Sequence, residues 1–375
     1  MRGLTSGTSL SPVGGEGRGE GADRDVLARP SPGSPLPGRA TLSRNAGEGL
    51  SGDTILDVRD LKTYFFLRRG VVKAVDGVSF SLRRGEVLGL VGESGCGKSL
   101  TALSVMRLLP KGGARTVGGE VRLNGNDILK RTPKEMREIR GSRISMILQD
   151  PQTSLNPVFT IGDQLREALA RRLGRQRKAD VMKEAVAALR HVEISGPEQR
   201  VGQFPHQMSG GMKQRVVGAI AMSGHPDVLI ADEPTTALDV TIQLQYLKLL
   251  KRLQRETGMA ILFITHDFGV VARMCDRVAV MYAGRIVECG PVTQVFDNPS
   301  HPYTQALIAS VPKMTGGAKH LYTIEGQPPP LMDLPEGCRF AARCAYAERR
   351  CEEAYPDSFS VGGDHTADCW RLAPG

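Results

Sequence analysis

The chain contains one short segment that constrains its fold more than any other, GESGCGKS at residues 92–99. The segment follows a buried apolar run, EVLGLVG, and precedes a helical pattern, KSLTALSVMRLL. Glycines at this spacing let backbone N–H groups point into a concave nest, and the helix start adds positive potential. We therefore expect a phosphate-binding loop in which Lys98 reaches the β- and γ-phosphates and Ser99 ligates Mg²⁺. The predicted nucleotide-contacting residues of the loop are Gly92, Ser94, Gly95, Cys96, Gly97, Lys98, Ser99 and Leu100.

Short apolar runs alternate with longer helical patterns along the chain. Runs typical of strands include TILDVRDLKTYFF, VVKAVDGVSFSL, RISMILQD, DVLIADEP and AILFITHD, and helical patterns include IGDQLREALARRL, VMKEAVAALRHV and TIQLQYLKLLKRLQRE. This alternation predicts an α/β domain with a largely parallel sheet. Ligands of such sheets bind beyond the carboxyl ends of the strands, which is where the polar clusters of this sequence fall.

Two adjacent carboxylates end one of the apolar runs, VLIADEP at residues 228–234. Asp232 is suited to hold Mg²⁺ together with Ser99. Glu233, one residue further on, is placed to act as the general base that polarises an attacking water. With the phosphate-binding loop upstream, the pair predicts a nucleoside triphosphatase.

Further polar motifs lie in a fixed order around this strand. Ser209, Gly210 and Gly211 open a helical pattern in MSGGMKQRV, where backbone amides form a second anion site. Gln149 lies in SMILQDP, Asp239 in TTALD and His266 in FITHD.

The order of these motifs resembles that of ATP-binding cassette (ABC) ATPases over roughly residues 54–335. The resemblance implies a P-loop fold with a mixed, largely parallel sheet, a helical signature subdomain at about residues 149–208, and ATP and Mg²⁺ as cofactors. It makes Lys98, Glu233 and His266 the expected catalytic residues. Ser209, Gly210 and Gly211 correspond to the signature, Gln149 to the Q-loop that contacts nucleotide and Mg²⁺, and Asp239 to the D-loop. Phe65 falls where the family's adenine-stacking aromatic residue lies, although Tyr64 and Phe66 fit nearly as well.

The resemblance also implies a set of partners. Cassettes of this family close head to tail over two ATP molecules, so the signature of this chain is expected to contact ATP held by a second ABC ATPase subunit, either a copy or a different chain. The helical subdomain is expected to grip two membrane permeases. The signature departs from the usual LSGGQ at Met208 and Met212, which leaves the backbone anion site but changes the contacts beside it.

The C-terminal part of the chain narrows the family. PSHPYTQALIASVPK and IEGQPPPLMDLPEGCRFAARC resemble the C-terminal extension of oligopeptide and dipeptide importer ATPases, a group that includes nickel importers. We therefore expect a cassette at residues 53–295 and an extension at residues 296–375. The implied activity is ATP hydrolysis that drives peptide uptake at the cytoplasmic face of the inner membrane, with an extracytoplasmic solute-binding protein as an indirect partner. The solute itself cannot be read from this chain.

Four of the seven cysteines lie in the extension, at Cys338, Cys344, Cys351 and Cys369. Disulfides are rare in the reducing compartment expected here. Four thiolates suit a [4Fe–4S] cluster or a tetrahedral zinc ion, and zinc modules usually contain a closer pair of cysteines. The resemblance favours the cluster, while zinc and free thiols remain open, as does His365 as a substitute ligand.

The remaining features of the sequence limit other functions. Residues 1–52 are rich in Gly, Pro, Ser and Arg, so we expect a disordered extension and a natural start that lies further downstream. A formal charge of +9 alone does not indicate nucleic-acid binding, and no basic run interleaved with aromatic residues accompanies it. A soluble ABC protein acting on nucleic acid or ribosomes is the alternative from another class, but such proteins usually carry two cassettes or a coiled-coil insertion.

Overall fold

The computed structural model describes residues 54–173, 177–236, 238–311 and 323–374. The predicted disordered extension, residues 1–52, lies outside them. The strands are β1 (Thr54–Leu67), β2 (Gly70–Arg83), β3 (Val87–Val91), β4 (Ala114–Leu123), β5 (Asn126–Asp127), β6 (Ile144–Ile147), β7 (Val228–Asp232), β8 (Ala260–Ile264), β9 (Arg277–Tyr282), β10 (Arg285–Pro291), β11 (Phe359–Gly362) and β12 (His365–Ala367). The helices are α1 (Lys98–Val105), α2 (Pro133–Ile139), α3 (Pro151–Ser154), α4 (Ile161–Leu173), α5 (Lys178–His191), α6 (Pro197–Arg200), α7 (Gly210–Met222), α8 (Val240–Thr257), α9 (Phe268–Met274), α10 (Val292–Asp297), α11 (Pro302–Ala309) and α12 (Arg349–Glu353).

An eight-stranded sheet forms the centre of the described fold, in the order β11-β12-β10-β9-β3-β8-β7-β6. Strands β6, β7, β8, β3 and β9 are parallel, and the strands beyond β9 are antiparallel. Every residue of β3, β7 and β8 is buried, as expected for parallel strands covered on both faces. The predicted α/β fold is therefore confirmed. Its parallel strands end together beside the loop at residues 92–99.

A separate antiparallel sheet, in the order β2-β1-β4-β5, covers one face of the central sheet. Alternate residues of β3 belong to different cores, because successive side chains of a strand point to opposite faces. Leu88 shares a core with Leu61 and Val78 of the antiparallel sheet, whereas Val87 shares a core with the helices. The alternating patterns of β1 and β2 predicted strands but did not indicate that they would join β4 and β5 in a separate sheet.

Helices alone fill the described part of residues 149–208, as the resemblance predicted. Leu165 and Leu169 of α4 and Ala185 and Leu189 of α5 are buried four residues apart, so each helix turns one apolar stripe towards the same core. The signature helix α7 packs beside them. Within the part of the chain that the structure describes, no helix is both long and apolar enough to cross a membrane.

The chain after α10 adds strands to the central sheet. Residues of β12 pair with β10, Ala367 opposite Glu288. The buried Glu288 carboxylate accepts hydrogen bonds from the backbone N–H groups of Ser300 at 2.7 Å and His301 at 3.0 Å, and its Oε1 lies 2.7 Å from Nε2 of His365. The boundary at residues 295 and 296 stays a prediction, because these contacts join the two segments across it.

A cluster of aromatic rings packs the extension against β9. Phe340 is 3% exposed, and its ring lies edge-on to Tyr282, with centroids 5.3 Å apart, and 5.4 Å from the ring of Tyr303. These rings belong to three segments that are distant in sequence. The cluster therefore holds the cysteine-containing segment against the carboxyl end of the central sheet.

Replacing Phe340 with alanine should lower the free energy of unfolding by about 3–5 kcal/mol, because the substitution leaves a cavity among buried rings. Urea denaturation followed by far-UV circular dichroism measures the change. Phe159→Ala is the matched control, since the Phe159 side chain is 52% exposed, and we expect a change within about 0.5 kcal/mol. Equal losses in the two variants would contradict the packing described here.

Candidate functional site

The loop at residues 92–99 has a backbone that only glycine accepts at two positions. Gly92 has a φ of 153°, and a Cβ there would lie 2.1 Å from the carbonyl oxygen of Met281. Gly97 has a φ of 109°, and its Cβ would lie 2.3 Å from the carbonyl oxygen of Ala74. No atom lies within 4 Å of a Cβ built at Gly95. One side of the loop therefore packs closely against β2 and β9, and the other side is exposed to solvent at Ser94 and Gly95.

Lys98 begins helix α1 and turns back over the loop. Its ammonium donates to the carbonyl oxygens of Gly92 at 2.8 Å and Glu93 at 3.0 Å, and the residue is only 6% exposed. The positive charge is thus held inside the turn whose backbone is suited to phosphate. Cys96 is buried beneath the loop, and Leu100 is partly buried in the first turn of α1.

Ser99 and Asp232, two of the three expected Mg²⁺ ligands, are in direct contact, whereas the third, Gln149, contacts Glu233. The Ser99 hydroxyl donates to Oδ1 of Asp232 at 3.0 Å. Burial raises the pKa of Asp232, and the hydrogen bond from Ser99 partly offsets that rise. A hydroxyl and a carboxylate oxygen beside the phosphate loop form a donor set that Mg²⁺ favours. The residues therefore fit the ion that the family implies.

Glu233 follows β7 in a left-handed backbone conformation, with a φ of 44°. Its carboxylate is half-buried and lies among three polar side chains. Oε2 accepts from Gln149 Nε2 and from the Thr236 hydroxyl, both at 3.0 Å, and Oε1 lies 3.2 Å from Nδ1 of His266. Strained backbone of this kind is typical of functional sites. The structure therefore brings together Gln149 of the expected Q-loop and two of the expected catalytic residues, Glu233 and His266.

The pKa of Glu233 is lowered from its ordinary value. Burial acts to raise it, but the hydrogen bonds from His266 and Thr236 and the nearby charge of Lys98 outweigh that effect. The ionised carboxylate is therefore present throughout the neutral pH range, and it is lost only as the pH falls through the lowered pKa. A carboxylate in this state is ready to accept a proton from water.

The signature and the D-loop lie at the starts of two packed helices. Ser209 caps α7 by accepting from the N–H of Met212 at 3.3 Å, and Asp239 caps α8 by accepting from the N–H of Ile242 at 3.0 Å. A Cβ at Gly211 would lie 2.7 Å from Cγ2 of Ile242, so the two helix starts are in close contact. Gly210 faces open space. Within the described residues, no hydrogen bond joins either helix start to the loop at residues 92–99.

The candidate adenine-stacking residues differ in their surroundings. The Tyr64 hydroxyl donates to Asp76, so this ring serves an internal hydrogen bond. Phe65 is half-buried in β1, while Phe66 is 46% exposed and lies under the guanidinium of Arg115, 5.8 Å from its ring centroid. The assignment of Phe65 stays a prediction, with Phe66 as the exposed alternative.

The four cysteines of the extension line one cavity of about 20 Å³, room for roughly one water molecule. All are free thiols, and burial raises the pKa of Cys338 to about 11. The donor set suits a metal in number and type, but no group of three described side chains stands in metal-binding positions. His365, considered as a substitute ligand, is instead engaged by Glu288.

Several residues of the site were not singled out from the sequence. Thr236, which donates a hydrogen bond to Glu233, lies three residues after it in the TTALD motif, and that spacing is the signal that could have found it. Glu93, Tyr303 and Arg343 form a contact across the loop that no local pattern reveals.

Comparisons with known proteins agree with this geometry. A family model described as "ABC transporter" matches residues 75–236, and one described as "Oligopeptide/dipeptide transporter, C-terminal region" matches residues 287–351. The chain is 52% identical over 320 residues to a probable peptide ABC transporter ATP-binding protein of Sinorhizobium fredii, covering 85% of this chain and 95% of that one. It is 49% identical over 318 residues to the dipeptide transport ATP-binding protein DppD of Bacillus subtilis, with the same coverage.

A solved dimeric ATP-binding cassette in a post-hydrolysis state, bound to ADP and phosphate, is also similar. It is 25% identical, with a TM-score of 0.57, and the match covers 63% of this chain and 98% of that one. The fold and the site define the protein as an ABC-type ATPase. The chain belongs to the family of ABC transporter ATP-binding proteins that carry the oligopeptide/dipeptide transporter C-terminal region.

Replacing Thr236 with valine should raise the pKa of Glu233, because one of the hydrogen bonds that lower it is lost. We expect kcat for ATP hydrolysis to fall roughly three- to tenfold, the effect of one hydrogen bond, and the acid limb of the pH–rate profile to move to higher pH. Steady-state rates between about pH 5 and about pH 8 measure both effects. Thr257→Val is the control, since it removes a threonine hydrogen bond at the opposite end of α8. An unshifted acid limb would contradict the role of Thr236.

Proposed function

We propose that the protein powers the uptake of dipeptides and oligopeptides through partner permeases, at the cytoplasmic face of the membrane. The observation that carries the proposal is that Gln149 and His266 both contact Glu233 at the strand ends. In the same chain, Tyr303 of the HPYT segment contacts the phosphate-binding loop. Relatives named as peptide and dipeptide transport ATP-binding proteins support the substrate class.

The residues divide the work of ATP hydrolysis among them. Lys98 and the loop amides bind the phosphates. Ser99 and Asp232 would hold Mg²⁺, which would supply positive charge beside the phosphate oxygens. Glu233 accepts a proton from the attacking water, and His266 fixes the carboxylate at Oε1. Gln149, on the other carboxylate oxygen, links this centre to the helical subdomain that follows it in the chain.

Ser209, Gly210 and Gly211 act on nucleotide held by a second subunit. The exposed N-terminus of α7 presents backbone N–H groups outwards, which suits a phosphate supplied by a partner. The dimeric cassette among the similar structures supports this arrangement. Closure over ATP and reopening after hydrolysis would then drive the two permeases, with an extracytoplasmic binding protein delivering the peptide.

Exchanging Glu233 for glutamine should abolish transport while leaving ATP binding intact. In cells whose chromosomal copy carries this substitution, uptake of a labelled dipeptide should fall roughly a hundredfold or more, the usual contribution of a general base. The purified protein should lose ATP hydrolysis to the same extent. Glu336→Gln, at an exposed glutamate of the extension, is the matched control and should transport normally.

The same cells test the alternative function, in which the transported solute is nickel rather than a peptide. Uptake of labelled Ni²⁺ is measured in parallel with the dipeptide. Loss of nickel uptake with normal peptide uptake would replace the proposal with a nickel importer, and unchanged uptake of both would contradict an importer of either kind.

We further propose that Cys338, Cys344, Cys351 and Cys369 hold a [4Fe–4S] cluster. The convergence of four thiols on one cavity supports the proposal, and a cluster or metal would supply a covalent tie between segments of the extension. The small size of the cavity requires the side chains to move apart when the cluster is inserted, and the raised pKa of Cys338 means that insertion displaces its proton.

Protein purified without oxygen should contain about four irons per chain and absorb broadly near about 400 nm. Cys344→Ser should remove the iron. Cys275→Ser, at a buried thiol between α9 and β9, is the matched control and should retain it. One zinc ion per chain and no iron would replace the cluster with a structural zinc site, and metal-free protein would overturn both.

A further inference from the structure

The arginine beside the second cysteine of the extension reaches into the phosphate-binding loop. Arg343 ends the short 3-10 turn Ala341–Arg343. Its Nη1 donates to Oε2 of Glu93 at 2.9 Å and its Nη2 donates to Oε1 at 3.1 Å. The side chain is 5% exposed, so this bidentate pair is largely shielded from water. Residues 250 positions apart are thereby joined at the nucleotide site.

Arg343 is itself held rigidly. Its Nη1 also donates to the Tyr282 hydroxyl at 3.2 Å, its Nε donates to the carbonyl oxygen of Glu325 at 3.0 Å, and its Nη2 donates to that of Ile324 at 3.4 Å. These bonds and the two to Glu93 match the five N–H donors of a guanidinium. Because these bonds hold the Arg343 guanidinium in one position, it can hold the Glu93 carboxylate in one orientation.

Glu93 is held at three points. Its side chain is bound by Arg343, its N–H donates to the Tyr303 hydroxyl at 2.9 Å, and its carbonyl oxygen accepts from Lys98 at 3.0 Å. Tyr303 is fully buried in the HPYT segment. The extension thus fixes the same residue of the loop that Lys98 contacts, which lies directly before the exposed Ser94 and Gly95.

We propose that Arg343 is a positioning residue for ATP binding, which holds the phosphate loop in its binding shape through Glu93. A loop that is already ordered loses less conformational entropy when the phosphates bind. Without Arg343, the Glu93 side chain is released, and its carboxylate is left without its cation beside a site for an anionic ligand. The proposal rests on the ATP-binding role of the loop, which the experiment measures separately in the parent protein.

The test is equilibrium binding of a fluorescent ATP analogue with Mg²⁺, together with steady-state ATP hydrolysis, on the full chain. Arg343→Met should raise Kd and KM roughly tenfold, the effect expected for one charged hydrogen-bonded pair, with a much smaller change in kcat. Arg343→Lys should give an intermediate value, because lysine keeps the charge but loses the bidentate geometry. Glu93→Gln combined with Arg343→Met should bind no more weakly than Arg343→Met alone, since both disrupt one contact.

Two controls separate positioning from a general loosening of the extension. Arg349→Met removes an exposed arginine that pairs with Glu353 within α12, and this variant should bind the analogue normally. Trp370→Phe removes the hydrogen bond to the carbonyl oxygen of Ala354 inside the extension without touching the loop. Metal content and thermal unfolding are recorded for every variant.

The outcomes are distinct. If the parent protein binds the analogue and Arg343→Met binds it equally well, the positioning role is wrong while the ATPase function stands. If Trp370→Phe raises Kd as much as Arg343→Met does, the effect comes from loosening and the proposal is likewise overturned. If the parent protein does not bind the analogue, the ATP-binding role of the loop fails first.

Discussion

The in-register pairing of parallel strands β3, β8 and β7 sets the distances of the whole site. Leu90 lies opposite Ile264, and Ile264 lies opposite Asp232, so three strand ends meet on one line. The N–H of Glu233 then donates to the carbonyl oxygen of Ile264 at 2.9 Å, which carries the ladder one residue past β7. Because that residue has a positive φ, its carboxylate turns towards His266 rather than continuing along the strand. A shift of one residue in this register would separate the base from the histidine.

The C-terminal segment takes part in the nucleotide site as well as in the fold. Its strands extend the central sheet through β10, its aromatic residues pack on β9, and its Tyr303 and Arg343 hold the loop that begins after β3. All of these contacts fall on neighbouring strands of one sheet. The extension therefore contacts the phosphate loop from the β9 and β10 side of the sheet. The helical subdomain is attached on the opposite side, after β6, and its Gln149 contacts Glu233.

The parts of the candidate site whose chemistry is local can be proposed from the sequence. The phosphate loop, the carboxylates Asp232 and Glu233, the signature residue Ser209 and the D-loop residue Asp239 each lie within a short motif of recognisable residue types and spacing. Helix α8 ends at Thr257, one residue beyond its helical pattern TIQLQYLKLLKRLQRE, and Gly258 caps it with a φ of 67°. Helix α1 ends earlier than its apolar pattern suggested, because the chain turns at Arg107, whose φ is 52°.

Contacts between distant segments could not be predicted in this way. Arg343 contacts Glu93 because the extension packs on β9. The segment CRFAARC alone does not indicate that the side chain of its second arginine points towards the phosphate loop. The position of His365 was likewise hidden, since its partner Glu288 lies 77 residues away on another strand. Spacing could place four cysteines in one segment but could not fix the distances between their sulfur atoms.

The surroundings of Glu288 show that the predicted cassette depends on the extension for part of its packing. The carboxylate is 1% exposed, and the hydrogen-bonding groups described around it, from Ser300, His301 and His365, all come from beyond residue 295. A chain cut at that boundary would keep every nucleotide motif, but the Glu288 carboxylate would lose these partners and β10 would become an unpaired sheet edge. Any other extension joined to this cassette would therefore have to supply donors at the same three positions, or Glu288 would have to be changed with it.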